Sequence, residues 1–284
     1  MTRQIVYVMA TNYSGSHMLA HQLGSHSRMN TVGELLRRRR ARYGDMCYRC
    51  GSDEDCQIYR GVKDLRISKY YDKIFENQTA CDDRVETIID NSKKVRWARL
   101  FLRKKEYSKK FIHLIRDPRA LVRRWILSFN TRKSKRKLRI KTARHCPRNF
   151  FDVLFGSESN VYIWYWLFRN RQISDFIRKN GLESTIVTYN DLVSAPERSL
   201  AELTEWIGYD YEPGQHEYWN FEHHGTVKTS YLNAPAGGRI SADQRWKEYL
   251  DAETQKMIFE HPHIRSYIEQ LGLGFDVDKG LTRY

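Results

Sequence analysis

The chain has 284 residues, of which 40% are hydrophobic, and a formal net charge of +15 at pH 7. This length and apolar content predict a single domain over residues 1–284, with insertions at about 37–82 and 131–150. No run of eighteen apolar residues and no apolar leader occurs, so the sequence predicts a cytoplasmic protein without a transmembrane segment.

The positive charge is concentrated in two segments, residues 37–40 and residues 132–148, the second with nine Lys and Arg residues. A solvated helix face or mobile insertion explains such a segment, and so does a surface that recruits a polyanionic partner or an acidic acceptor. No zinc-finger spacing, RNA-recognition aromatic motif or basic-zipper heptad accompanies the charge. We therefore expect no specific nucleic-acid partner.

The first predicted element is an apolar strand over residues 5–10, followed by a Ser- and Gly-rich turn and a helix over residues 18–25. Such a unit binds phosphate because the N–H groups at the start of the helix have no intrachain partner and face the positive end of its dipole. No Lys follows Gly15, so the nucleotide triphosphatase pattern GxxxxGK[ST] is absent. The turn predicts a phosphorylated donor other than ATP or GTP.

Residues 37–61 are predicted to be irregular and contain Cys47, Cys50 and Cys56. These thiolates could bind zinc, yet a tetrahedral structural site needs a fourth ligand, from Cys81 or a distant His. We favour a local structural loop, with or without a redox-sensitive pair, and assign no metal site. Whether the three cysteines form a disulfide, bind metal or stay free is left open.

A second anion site is predicted further along the chain. A strand-like run over 84–90 and a basic helix over 94–105 lead to a buried strand over 111–115, which ends in Arg116 before a helix that opens at Pro118. Open α/β sheets bind ligands at the carboxyl ends of their strands, and the guanidinium fork matches phosphate oxygens. Two anion sites on one sheet edge indicate a doubly phosphorylated nucleotide.

The remaining elements complete an α/β pattern. Residues 161–179 carry an aromatic stripe at helical spacing, which is typical of core packing. The tail over 252–273 predicts two short helices separated near Pro262. Strands that alternate with helices predict a three-layer α/β/α domain with a mainly parallel central sheet.

Taken together, these motifs resemble those of the sulfotransferases that use 3′-phosphoadenosine 5′-phosphosulfate (PAPS). Residues 13–17 look like the loop that holds the 5′-phosphosulfate, and residues 114–120 look like the strand end and helix start that hold the 3′-phosphate. Residues 90–93 resemble a D-S-S-K stretch of bacterial members, and residues 186–192 resemble a strand end whose Tyr lies near the adenine. With residues 246–250, similar to a W-K-x-x-L segment, the likeness implies a P-loop nucleotide-hydrolase-like fold.

The resemblance implies a set of nucleotide-binding residues, which are Tyr13, Ser14, Gly15, Ser16, His17, Met18, Arg116, Arg124 and Tyr189. Two of these depart from the family pattern. Tyr13 stands where the family usually has Lys or Arg, which removes an expected donor to the transferring group. Arg124 stands where the family usually has Ser, and its guanidinium could still bind the 3′-phosphate.

Two further residues are assigned to the transfer step. Lys93 could donate to the bridging or sulfonate oxygens as charge moves to the leaving phosphate. Glu34 is chosen as the general base, because its Gly33-Glu34-Leu35 setting is similar to that of the catalytic Glu in some carbohydrate sulfotransferases and partial burial would raise its pKa. Asp90, His223 and His224 remain alternative bases.

The sequence thus predicts transfer of sulfonate from PAPS to a hydroxyl or amine of an acceptor, with release of 3′-phosphoadenosine 5′-phosphate (PAP) and no required metal. A saccharide, a small molecule or an anionic compound are the acceptor classes considered, with a pocket drawn from residues 35–82, 131–160 and 210–245. The alternatives are a basic polyanion-binding scaffold protein and an atypical nucleotide kinase. Neither the acceptor nor the oligomeric state can be read from the sequence.

Overall fold

A computed structural model describes residues 3–38, 47–225 and 238–283. Within these ranges five parallel strands form one sheet in the order β2-β3-β1-β4-β5. The strands are β1 (Gln4–Ala10), β2 (Met29–Thr31), β3 (Thr87–Asp90), β4 (Ser108–Ile115) and β5 (Ser184–Thr188). A separate antiparallel hairpin joins β6 (Gly274–Asp276) to β7 (Gly280–Thr282).

Helices flank the sheet on both faces. Those of the described ranges are α1 (Ser16–Leu23), α2 (Leu35–Arg38), α3 (Tyr70–Cys81), α4 (Val95–Arg99), α5 (Pro118–Ser128), α6 (Arg132–His145), α7 (Phe150–Phe155), α8 (Glu158–Lys179), α9 (Tyr189–Ser194), α10 (Pro196–Ile207), α11 (Trp246–Tyr249), α12 (Ala252–Glu260) and α13 (Pro262–Gln270). In this part of the chain no helix is both long and apolar enough to cross a bilayer.

The central strand β1 is buried on both faces, and its alternating side chains enter different apolar clusters. Ile5, Tyr7 and Met9 pack with residues of α3, α4 and α8, including Tyr71, Trp97 and Phe176. Val6, Val8 and Ala10 pack with residues of α1, α9 and α10, including Leu19, Leu192 and Leu203. This arrangement confirms the predicted three-layer fold with a parallel sheet.

The basic helix predicted over 94–105 is shorter than expected. The helix α4 ends at Arg99, and the chain continues as turns in which Leu100, Phe101 and Lys104 each bond to a carbonyl three residues earlier. These tighter turns bury Phe101 completely in the core while Leu100 stays half exposed. Burial of one aromatic ring therefore overrides the local helical preference.

The basic segment over 132–148 contains an ordered helix, α6, that begins with a capping box at Thr131. Leu138, Thr142 and Ala143 are buried. Arg139 donates to the carbonyl oxygens of Val153, Leu154 and Gly156, which closes the end of α7. Much of the remaining charge of this segment lies on exposed side chains.

Arg39 and Arg40 of the first basic cluster, and part of the expected acceptor loops, lie outside the described residues.

Candidate functional site

The five parallel strands deliver the predicted site residues to one edge of the sheet. Glu34 follows β2, Lys93 follows β3, the turn at 11–15 follows β1, Arg116 follows β4, and Tyr189 follows β5. The carboxyl ends of parallel strands share an edge, so the topology brings together residues that are far apart in sequence.

The turn after β1 has the shape expected of an anion-binding loop. Gly15 has a left-handed conformation (φ 91°) and caps α1, and Tyr13 is also left-handed (φ 70°). The Thr11 and Ser14 hydroxyl oxygens lie 2.6 Å apart and brace the turn. A Cβ on Gly15 would lie 2.7 Å from the Tyr189 ring, so both the backbone angle and the close ring require glycine here.

The start of α1 carries the other predicted turn residues. Ser16 is buried at the first helical position, and Met18 is half-buried against the apolar cluster on one sheet face. The backbone N–H groups of both residues lie in the first helical turn, where a helix leaves donors without intrahelical acceptors.

His17, Glu34 and Lys93 form one hydrogen-bonded cluster. Glu34 Oε1 accepts from Lys93 Nζ and from His17 Nε2, the latter at 2.9 Å, and Glu34 Oε2 accepts from Arg37. The Glu34 and Lys93 side chains are only 9% and 6% exposed. His17, Glu34 and Lys93, which were predicted to have separate roles, thus contact one another.

Asn91 fixes the orientation of the His17 ring. Its amide nitrogen donates to the carbonyl oxygen of Ser16 at 3.2 Å and to His17 Nδ1 at 3.0 Å. Burial lowers the pKa of His17, although the hydrogen bond to Glu34 opposes this. The ring is therefore neutral and carries its proton on Nε2, from which it donates to Glu34.

The expected rise in the Glu34 pKa is wrong. Burial does favour the protonated acid, but the hydrogen bond from His17 and the charges of Lys93 and Arg37 together hold the pKa of Glu34 well below its usual range. Burial also lowers the pKa of Lys93, and the Glu34 charge partly offsets this. Glu34 is an ionised carboxylate that becomes more basic when one of its donors leaves.

Arg116 forms the second cluster of this edge. Its guanidinium donates to the carbonyl oxygen of Tyr13 at 2.8 Å and to Asp243 at 3.0 Å, and it stacks 4.0 Å from the centre of the Tyr189 ring. The hydrogen bond from Arg245, opposed by burial and reinforced by the charge of Arg116, holds the pKa of Asp243 below its usual range. An ionised carboxylate therefore occupies one edge of the Arg116 guanidinium.

Arg124 lies beside this cluster rather than in contact with Asp243. It projects from α5 as an exposed side chain, 4.7 Å from the centre of the half-exposed Tyr13 ring. Tyr13 thus contacts both predicted phosphate-binding arginines, one through its backbone and one through its ring.

The three alternative bases bond to partners other than Glu34. Asp90 is fully buried, where it accepts from Tyr71, from Trp97 at 2.8 Å and from the backbone of Ser92, and burial raises its pKa. His223 bonds to the carbonyl oxygen of Tyr218 at 2.9 Å, and burial lowers its pKa to about 4. His224 lies among the cysteines, within 3.5 Å of three sulfur atoms.

Asn91, Lys94 and Asp243 are further residues of this sheet edge for which the sequence predicted no role. Lys94 donates to Asn12 at 3.1 Å, next to the turn, and burial together with nearby cations lowers its pKa to about 7. Its position directly after Lys93 was a usable signal, because both residues follow the same strand. Asp243 offered none, since 127 residues separate it from Arg116.

No protein-family model and no curated protein matches the sequence. Among solved structures, the chain is similar to a sulfotransferase domain from the curacin biosynthetic pathway, with TM-score 0.50 and 17% identity over 90% of this chain and 96% of that one. It is also similar to a sulfotransferase from Alicyclobacillus acidocaldarius, with TM-score 0.48 and 12% identity over 95% and 96% of the two chains. The first likeness gives the chain the fold of a sulfotransferase domain and confirms the predicted fold class.

Proposed function

We propose that the protein is a sulfotransferase that moves the sulfonate group of PAPS to an acceptor oxygen or nitrogen and releases PAP. The observation that carries this proposal is the direct contact between the two anion-binding features of the sheet edge. Arg116 bonds to the carbonyl oxygen of Tyr13 at 2.8 Å, so a guanidinium adjoins the turn before α1. A nucleotide with a phosphate at each end of its ribose fits two such neighbouring sites.

In this proposal the turn holds the 5′-phosphosulfate through backbone N–H groups, with Ser16 and His17 as side-chain donors. Arg116 and Arg124 take the 3′-phosphate, and Arg116 exchanges Asp243 for it. The Tyr189 ring lies between Gly15 and Arg116, which supports an adenine contact there. Each of these assignments is testable by substitution.

The transfer step is an in-line displacement at sulfur. The acceptor oxygen or nitrogen forms a bond to sulfur, the bond from sulfur to the bridging oxygen breaks, and the electron pair leaves with the 5′-phosphate. Lys93 stabilises the departing charge, and Glu34 takes the acceptor proton. Lys93 donates a hydrogen bond to Glu34. When Lys93 turns toward PAPS, Glu34 loses this hydrogen bond and its pKa rises, so binding of PAPS activates the base.

The acceptor we propose is anionic. Arg169, Lys93 and Lys141 are the cations whose charges depress the pKa of Lys94, which lies beside the turn. Arg169 is 6% exposed, and its buried Nη2 has no hydrogen-bond partner among the described residues. A buried guanidinium with a free donor favours a ligand that brings negative charge, such as a carboxylated or already sulfated saccharide.

The other two functions account for less of this geometry. A nucleotide kinase of the P-loop type needs the Lys that is absent after Gly15. A function as a polyanion-binding scaffold does not explain the buried cluster of His17, Glu34 and Lys93, because the Glu34 carboxylate there neutralises a positive charge. The exposed cations of α6 favour polyanion binding only as an additional property of the surface.

The test is calorimetric titration with PAP, AMP and magnesium ATP. We expect PAP to bind far more tightly than AMP, and Arg116→Ala to weaken PAP binding by about 100-fold, because two charge-assisted hydrogen bonds are lost. Arg136→Ala removes an exposed guanidinium on α6 and serves as the matched control. Equal binding of PAP and AMP, or preference for magnesium ATP, would overturn the proposal.

A further inference from the structure

Four potential metal ligands from distant parts of the chain converge outside the nucleotide site. The sulfur atoms of Cys47, Cys50 and Cys56 lie 3.5, 3.5 and 3.3 Å from Nδ1 of His224. The four ligand atoms all lie within 4.8 Å of one another, and the three cysteines are unbridged. The fold thus supplies the fourth ligand that the cysteine spacing lacks.

We propose that Cys47, Cys50, Cys56 and His224 bind one structural zinc ion. In a tetrahedral site, zinc–sulfur bonds of about 2.3 Å and a zinc–nitrogen bond of about 2.05 Å place each sulfur about 3.5 Å from the nitrogen. The three observed sulfur–nitrogen distances agree with this value. A set of four protein ligands leaves no open coordination position, so the site is structural rather than catalytic.

Hydrogen bonding alone does not account for this cluster. One imidazole nitrogen takes part in one ordinary hydrogen bond, yet three sulfur atoms surround Nδ1 of His224 at nearly equal distances. A disulfide would join two of the three thiols and leave the third beside the ring. A zinc ion satisfies all four ligand atoms at once, and thiolates with imidazole are ligands that zinc prefers.

Hydrogen bonds from neighbouring residues hold the ligands in position. Tyr59 donates its hydroxyl to the carbonyl oxygen of His224 at 3.3 Å, and the Tyr48 backbone bonds to Gly225 at 3.1 Å. Cys47 and Cys56 are fully buried, so the ion would be shielded from water. These contacts join the cysteine segment to the segment that carries His224, as the supporting residues of a metal site do.

The zinc site would also brace the helix that begins at the anion-binding turn. His223, next to His224, packs its ring 4.7 Å from that of His21 on α1, and His21 donates to the carbonyl oxygen of His17 at 2.6 Å. On the other side, a buried ion pair between Arg38 and Asp53 ties α2 to the cysteine segment. Loss of zinc should therefore loosen the positions of His17 and Glu34.

This inference does not depend on the proposed function, and its test is metal analysis of the full chain. Protein purified under reducing conditions from zinc-supplemented cells should contain about one zinc ion per chain, measured by inductively coupled plasma mass spectrometry. Replacement of zinc by cobalt should give the visible and near-ultraviolet absorption of tetrahedral thiolate coordination. Cys56→Ser and His224→Ala should reduce the zinc content, whereas Cys81→Ser and Cys146→Ser, the matched controls, should keep it.

Variants of buried ligands can fail to fold, so wild-type protein provides a second measurement. Titration with an organomercurial, which also reacts with Cys81 and Cys146, should release one zinc ion, detected by a chromogenic indicator, as the three ligand thiols react. Protein without zinc, protein with iron in its place, or a disulfide between two of the three cysteines would overturn the proposal. So would a zinc content in Cys56→Ser and His224→Ala equal to that of the controls.

Discussion

Two carboxylates stand beside cations at the same sheet edge, and they differ in how firmly they are held. Glu34 lies between β2 and α2, and its side chain and that of Lys93 are 9% and 6% exposed. Asp243 lies in residues 239–244, which have no regular secondary structure, and its side chain is 23% exposed. The ion pair between Glu34 and Lys93 is buried, whereas the ion pair between Asp243 and Arg116 is partly exposed and its carboxylate lies on a loop.

The difference in burial indicates that Glu34 and Asp243 have different roles as counter-ions of Lys93 and Arg116. Removing one member of a buried ion pair leaves an uncompensated charge and is costly. The ion pair between Glu34 and Lys93 is therefore kept until another anion binds Lys93. A partly exposed pair is worth little, so a phosphate can replace Asp243 at Arg116 with a small penalty. We expect the Glu34 cluster to govern turnover and the Asp243 contact to govern donor affinity.

The largest effect should come from Glu34→Gln. This change keeps the shape of the side chain but removes the base, so kcat should fall by about 10²–10⁴-fold while PAP binding is not weakened. Steady-state sulfonation assays and calorimetry measure the two quantities. Glu106→Gln, at an exposed carboxylate, is the control, and near-normal turnover of Glu34→Gln would remove Glu34 as the base.

The ion pair between Glu34 and Lys93 should make the folding stability of the protein depend on pH. The pKa of Glu34 is lowered on folding, so its stabilising contribution is complete above the unfolded pKa of about 4.3 and is lost as pH falls through the lower folded pKa. The melting temperature of wild-type protein should therefore exceed that of Glu34→Gln at pH 7, and this excess should shrink below about pH 4. A constant difference between the two proteins down to pH 3 would contradict the ion-pair account.

A smaller effect is expected at the second carboxylate. Asp243→Asn removes the charge that competes for Arg116, so PAP should bind about fivefold more tightly, equivalent to about 1 kcal/mol. Calorimetry at low and high salt measures this gain, which screening should reduce. Asp251→Asn changes an exposed helix cap and controls for net charge. Weaker PAP binding in Asp243→Asn would show that this carboxylate assists the nucleotide.

The smallest effect should be the pH dependence of donor binding through Lys94. Burial and neighbouring cations lower its pKa to about 7, so a bound phosphate should draw a proton onto it. PAP affinity should fall by about threefold from pH 7 to pH 9, with proton uptake visible in buffers of different ionisation enthalpy. Lys94→Met should abolish the uptake, and uptake that persists in this variant would assign the proton to another group.

Much of the site was predictable because its signals are local. The turn before α1 and Arg116 each follow an apolar run and precede a helix, a pattern that needs only a few neighbouring residues. Glu34 and Lys93 were named as separate contributors, yet only the strand order β2-β3-β1 sets them side by side. The predicted helix over 94–105 was too long because burial of Phe101, a tertiary effect, ends it early.

The sequence by itself determined the layered fold and the residues that follow each strand, since hydrophobic period and turn chemistry are properties of short segments. Only the tertiary structure decided which charges meet. Asp243 reaches Arg116 across 127 residues, and His224 reaches Cys56 across 168. No local pattern encodes such contacts, because packing of whole elements brings them about. The lowered pKa of Glu34 has largely the same origin, because two of its three donors, His17 and Lys93, come from other segments of the chain.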